Sequence, residues 1–147
     1  LGMAMNVFPI YRETMRVIGT LERLTDQISN KAISTRVIEK FPTTTSIPRT
    51  VKRVLQTLDD WHFIELNQGI VVVKEILLLD SKLVNWFIIA LLKATEQNEI
   101  TLQELDICPF KLGINFSHPR SVINGSEDLF FGRNQMGLEV IRIKTSQ

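Results

Sequence analysis

Between residues 47 and 74 the apolar period changes once, and that change limits the available folds more than any other feature of the chain. Ile47, Val51, Val54, Leu55 and Leu58 recur at i, i+4, i+7, i+8 and i+11, the buried stripe of a helix. Ser46 is the expected N-cap, and Pro48 falls in the first turn, where a missing N–H costs nothing. A few residues on, Phe63-Ile-Glu-Leu66 and the β-branched run Ile70-Val-Val-Val-Lys74 flank Asn67-Gln-Gly69, which predicts a hairpin. A helix running directly into a hairpin places the chain in the α+β class.

Two further helices precede this pair. Val17, Leu21, Leu24 and Ile28 form one stripe over residues 11–28, widened by Met15 and Ile18. Ser29-Asn30 is expected to end that helix and to cap the next, in which Ile33, Val37 and Phe41 repeat at i, i+4 and i+8. Pro42 stops it, because the residue before a proline is pushed out of helical geometry.

The order helix, helix, turn, helix, hairpin over residues 11–74 resembles the winged helix-turn-helix superfamily. The residues that carry the likeness are the Thr43-Thr-Thr-Ser46 turn, the Ile47/Val51/Leu55/Leu58 face, the Leu58-Asp-Asp-Trp-His-Phe-Ile exit and the Asn67-Gln-Gly69 tip. The resemblance implies a third helix that enters the major groove of double-stranded DNA. The expected DNA-binding residues are then Arg36, Lys40, Ser46, Arg49, Thr50, Lys52, Arg53 and Gln56. Arg49 and Arg53 are four apart and share a helix face. The plainer reading of that face is ordinary solvated charge. The hairpin tip has no Arg or Lys, so any contact it makes with DNA is expected to be weak.

Downstream, residues 81–95 predict a helix apolar enough to need cover on most sides. Thr101-Leu-Gln-Glu104 is a capping-box pattern opening a short helix. Residues 117–125 predict another, with Ser117 as cap and Gly125 as terminator. Residues 129–132 and 138–143 predict a second hairpin around Arg133-Asn-Gln-Met-Gly137. The chain is therefore expected to divide into a winged helix at 1–75 and a second helix-plus-hairpin unit at 76–147. The second unit reads either as a degenerate second winged helix or as a small α+β extension. Its basic positions, Lys111, His118, Arg120 and Arg133, read as scattered surface charges, with Arg133 near a predicted loop tip.

The net charge of +1 conceals segregation. Residues 1–53 hold nine Lys+Arg and four Asp+Glu, residues 54–110 three and nine, and residues 111–147 five and three. The positive charge thus gathers on the helices expected to face DNA, and the acids begin at Asp59. Cys108 is the only cysteine, which excludes an internal disulfide and a cysteine zinc cage, and a cytoplasmic protein is expected. The most apolar stretch spans ten residues, 83–92, and contains Asn85, short of the roughly 20 apolar residues that a membrane span needs. The N-terminus lacks the pattern of a signal peptide. It opens on Leu1, as an excised piece or a chain with added residues would.

Catalysis finds little support. Cys108 lies among Ile107, Pro109 and Phe110 and reads as a small buried hydrophobe, so a Cys108–His118 pair lacks a setting. His62 follows Trp61 at a helix end and reads as a surface or packing residue. Asp59 and Asp60 are adjacent on a helix and diverge by about 100°. No metal ligand set and no cofactor are expected. The expected function is non-enzymatic DNA binding, in transcriptional regulation or as the DNA-binding component of a larger assembly. The alternative is a protein–protein interaction module on a winged-helix scaffold. Trp86 and Phe87 are the expected interface residues, for a homodimer or a protein partner; simple core packing is the competing assignment for them.

Overall fold

The computed structural model of the chain describes residues 1–43, 45–116 and 119–145. The architecture is mixed α and β, and the chain divides into two compact units. The first gathers Leu1, Met3–Ile76 and Pro109–Ile114; the second gathers Gly2, Leu77–Cys108 and the described residues from Asn115 onward. The units interleave, because a six-residue segment returns to the first after the second has begun.

In the first unit, helix α1 (Gly2–Val7) leads into α2 (Pro9–Glu22), strand β1 (Ile28–Ser29), α3 (Asn30–Lys40), α4 (Ile47–Asp60), β2 (Ile64–Asn67) and β3 (Ile70–Val73). The strands form an antiparallel sheet in the order β1-β3-β2, with Ile28 opposite Val71 and Ile64 opposite Val73. Met15 and Ile18 from α2, Ile33 and Val37 from α3, and Ile47, Val51, Leu55 and Leu58 from α4 are fully buried with Ile64 and Val71.

The helix expected over 11–28 instead ends at Glu22, and Leu24 is 70% exposed. The Thr25 hydroxyl accepts a hydrogen bond from the Gln27 N–H at 3.3 Å, a local turn that competes with helix propagation. Ile28 is buried all the same, as a strand residue. Ser29 caps α3 as expected, its hydroxyl accepting from the Ala32 N–H at 3.0 Å. Ser46 occupies the N-cap position of α4, but its hydroxyl makes no capping bond. Its backbone, at φ −97° and ψ 12°, lies outside the extended geometry that aims a side-chain oxygen at the next N–H groups. Its carbonyl accepts from both the N–H and the hydroxyl of Thr50, at 3.0 and 3.1 Å.

The exit from α4 is fixed by His62, whose φ of 63° is left-handed. His62 N–H donates to the Asp59 carbonyl at 2.9 Å and Phe63 N–H to the Leu58 carbonyl at 3.0 Å. This double bond pattern closes the helix end and turns the chain into β2. The hairpin turns on Gln68 and Gly69, at φ 51° and 78°, the paired positive values of the tight turn whose twist matches its strands. The Gly69 carbonyl also accepts from the Asn30 N–H at 2.8 Å, so the hairpin tip satisfies a donor at the start of α3.

After the hairpin the chain continues through β4 (Ile76–Leu78), α5 (Ser81–Ala94), β5 (Glu99–Thr101), α6 (Leu102–Asp106), β6 (Ile114–Phe116), α7 (Pro119–Ile123), β7 (Leu129–Arg133) and β8 (Glu139–Ile143), all in the second unit except Ile76 and Ile114, the first residues of β4 and β6. β4 and β6 pair as a two-stranded ribbon, and the remaining strands form an antiparallel sheet in the order β5-β8-β7. α5 is capped by Asp80, whose carboxylate accepts from the Lys82 and Leu83 N–H groups at 2.8 and 3.2 Å. The expected capping box opens α6: Thr101 Oγ1 accepts from the Glu104 N–H at 3.0 Å, and Glu104 Oε2 accepts from the Thr101 N–H at 2.8 Å. Ser117, the expected cap of α7, lies outside the described residues.

Each three-stranded sheet follows the same plan. A helix precedes a strand of two or three residues whose last member caps the next helix, and a hairpin closes the sheet with its second strand in the middle. Ile28 opposite Val71 corresponds to Ile100 opposite Ile141, and all four side chains are buried.

Tyr11 is buried on α2 with its ring 6.2 Å from that of Trp61, and its hydroxyl has no hydrogen-bond partner among the described residues. Removing an orphaned buried hydroxyl relieves its desolvation, so Tyr11→Phe is expected to leave stability at pH 7 unchanged or raise it by about 1 kcal/mol. Burial also pushes the phenol well above its ordinary value of 10.0. The folded state therefore holds this proton more tightly than the unfolded state does. Below about pH 10 both states are protonated; above it the unfolded state ionises first and stability falls. Urea midpoints measured from pH 7 to pH 11 should show a smaller alkaline loss for the variant. A variant less stable than wild type at pH 7 would reveal a partner for the hydroxyl.

Candidate nucleic-acid interface

The apolar stripe of α4 faces the core, so the residues between its members face outward. At 100° per residue, Arg49, Lys52, Arg53 and Gln56 fall within an arc of about 100°, opposite the buried stripe. All four are exposed, as are Arg36, Lys40 and Ser46, while Thr50 is half-buried. Lys31 is exposed on α3 and joins Arg36 along a shallow groove shared with Ser29, Ala32, Thr35 and Glu39.

Among the described residues, none of Lys31, Arg36, Lys40, Arg49, Lys52 and Arg53 forms an ion pair. Charges in this state keep their hydration and their counterions, and they are available to an anion. Two polar residues of the expected set are engaged instead. Gln56 Nε2 donates to Asp60 Oδ1 at 3.1 Å, and the Thr50 hydroxyl donates to the Ser46 carbonyl. The i, i+4 spacing of Gln56 and Asp60 was the available sequence signal for the first bond. Asp59 turns away from this face, its carboxylate accepting from the Leu66 N–H at 3.1 Å.

The cations of the second unit are arranged differently. Arg120 is paired with Glu139 and lies 5.5 Å from the Phe131 ring centroid. That pairing raises the Arg120 pKa and lowers that of Glu139 through the hydrogen bond between them. Arg142 donates from Nε and Nη2 to Glu99 Oε2 at 3.0 and 2.6 Å, across the β5–β8 pair. Lys144 Nζ donates to the Ser126 carbonyl at 2.8 Å. Arg133 is exposed at the end of β7.

Trp86 and Phe87 separate. Trp86 is 46% exposed, with Gly2 against its ring. Phe87 is 4% exposed and packs at 6.0 Å from the Phe116 ring, so it belongs to the core and not to an exposed interface. The two point in different directions because adjacent helix residues are about 100° apart.

Cys108 is buried, and His118 lies outside the described residues. Among the described residues no cluster of three His, Cys, Asp or Glu side chains could hold a metal, and no helix is long and apolar enough to cross a membrane. No family model, curated protein or solved structure matches the chain.

Proposed function

We propose that residues 9–73 form a winged helix that binds double-stranded DNA, as a non-enzymatic regulator of transcription or as the DNA-binding component of a larger assembly. The observation that carries this reading is the set Arg36, Lys40, Arg49, Lys52 and Arg53 on α3 and α4, exposed and without an ion pair among the described residues. Three features of the first unit support it. The strand order is β1-β3-β2, a turn joins α3 to α4, and a tight-turn hairpin follows α4 directly. The second three-stranded sheet repeats that strand order, with residues 109–116 inserted between α6 and α7, and we read the second unit as a second, degenerate winged helix. Its arginines at 120 and 142 are closed onto Glu139 and Glu99, so it contributes little to DNA binding.

The test is the affinity of the chain for mixed-sequence duplex DNA as a function of salt. With three to five phosphates neutralised, log K is expected to fall with log salt at a slope of about −3 to −4.5. Negligible affinity at low salt, or affinity indifferent to salt, would sink the proposal.

A second reading, a self-association surface, is favoured by Leu79, Leu83 and Trp86. They are 70%, 54% and 46% exposed; Leu83 and Trp86 lie at i and i+3 on α5, and Leu79 directly precedes its Asp80 cap. Light scattering that shows a monomer at the highest concentration reached would overturn it.

A further inference from the structure

We propose that α4 reads guanine, at two positions about two base-pair steps apart, and does not read adenine; this rests on the DNA-binding reading above. Five exposed side chains occupy the outward arc of α4, Arg49, Lys52, Arg53, Gln56 and, at its C-terminal end, Asp60, and the structure divides them by what they have left to offer. Gln56 carries the one amide on that arc, the donor–acceptor pair that fits the major-groove edge of adenine. Its Nε2 is bonded to Asp60 Oδ1, one turn along the same helix. Releasing it for a base would break that bond and bring an uncompensated carboxylate towards the phosphates. The Thr50 hydroxyl is likewise held by the Ser46 carbonyl.

Arg49, Lys52 and Arg53 remain. An arginine guanidinium presents two parallel donors, which match the O6 and N7 acceptors of guanine and of no other base edge in the major groove. Arg49 and Arg53 are separated by four residues, an axial rise of about 6 Å. Stacked bases are about 3.4 Å apart along one strand, so the two guanidinium groups span about two steps. Lys52 sits at the side of the arc, about 60° from Arg49, where a point charge meets backbone phosphate more readily than a base edge. The hairpin tip, Asn67-Gln68-Gly69, has no cation to add specificity through the minor groove.

The experiment is selection from a randomised duplex library with the full chain, repeated with Arg49→Ala, Arg53→Ala and Gln56→Ala. All three positions are exposed, and circular dichroism with urea midpoints confirms that each variant is folded. The wild type should enrich two guanines separated by one base pair. Arg49→Ala should lose preference at one of them and Arg53→Ala at the other, each by about 5- to 150-fold. Gln56→Ala should leave the motif unchanged. Duplex binding without guanine enrichment, or an adenine preference that Gln56→Ala removes, overturns the guanine inference and leaves DNA binding standing. Retention of no duplex at low salt overturns DNA binding itself.

Discussion

Replacing Arg49 and Arg53 together by alanine is expected to weaken duplex DNA binding by roughly 100-fold or more, with the urea midpoint unchanged. Each bidentate arginine–base contact is worth about 1–3 kcal/mol, and the two residues share a helix face without sharing a partner. Stability should not follow affinity, because both side chains are exposed and neither has an ion-pair partner among the described residues. Arg49→Lys with Arg53→Lys separates charge from geometry. It keeps the two positive charges, and with them the salt slope, but loses the paired donors, so affinity should fall between wild type and the alanine pair. Arg120→Ala with Arg142→Ala is the control in the second unit. Those arginines already neutralise Glu139 and Glu99, so affinity should change little. Fluorescence anisotropy on one duplex at fixed salt measures all four proteins. An alanine pair as tight as wild type would remove α4 from the interface.

That contrast also qualifies what the charge pattern of the sequence means. Positive charge gathers in residues 1–53, and the structure places much of it on the exposed faces of α3 and α4. Arg16 departs from this. It is bound to Glu13 on α2, both carboxylate oxygens accepting from its Nε at 3.0 Å, and the hydrogen bond raises its pKa. The near-neutral balance after residue 110 looks like scattered surface charge in the sequence. It is partly organised: Arg142 finds Glu99 only because β5 pairs with β8. A pair separated by 43 residues leaves no local trace.

Helices and hairpins with a full period were legible because burial imposes spacing on them. The α4 stripe, the Ser29 cap, the capping box at Thr101 and both hairpins follow from a handful of neighbouring residues. The two short strands β1 and β5 were not legible. Two or three residues cannot display a period of two, and Ile28 fitted the helical stripe as well as it fits the sheet. Their existence depends on Val71 and Ile141, which lie some 40 residues away. The failure at Ser46 has a similar origin: residue type favours a cap, but the backbone angles at the position decide whether the hydroxyl can reach. Trp86 and Phe87 could not be separated by hydropathy, since both suit a core or an interface until the facing surface is known.

The segment Pro109–Ile114 was equally hidden, and it supplies the second large expected effect. It packs in the first unit although the chain on either side belongs to the second. Its seat depends on Gly19 of α2: a Cβ there would lie 2.1 Å from the Pro109 carbonyl oxygen and 2.7 Å from its carbon. Gly113 allows a second close approach, since a Cβ there would come within 2.0 Å of the Lys74 carbonyl oxygen. Neither neighbour is a side chain that can rotate away, so a methyl group must move backbone. Gly19→Ala gains about 1 kcal/mol of helix propensity, but overpacking costs about 1–3 kcal/mol. If the segment lifts, the burial of Leu112 and Ile114, 6% and 3% exposed, is lost as well. Each such side chain is worth about 1.5–3 kcal/mol, so the expected net loss is about 3 kcal/mol, read from the urea midpoint. A local probe separates lifting from general weakening. Lys111 is 8% exposed in the wild type, and native-state trypsin cleavage after Lys111 should appear in the variant under conditions where the rest of the chain stays folded. A Gly19→Ala protein as stable and as trypsin-resistant as wild type would mean that the Pro109 carbonyl does not rest on α2.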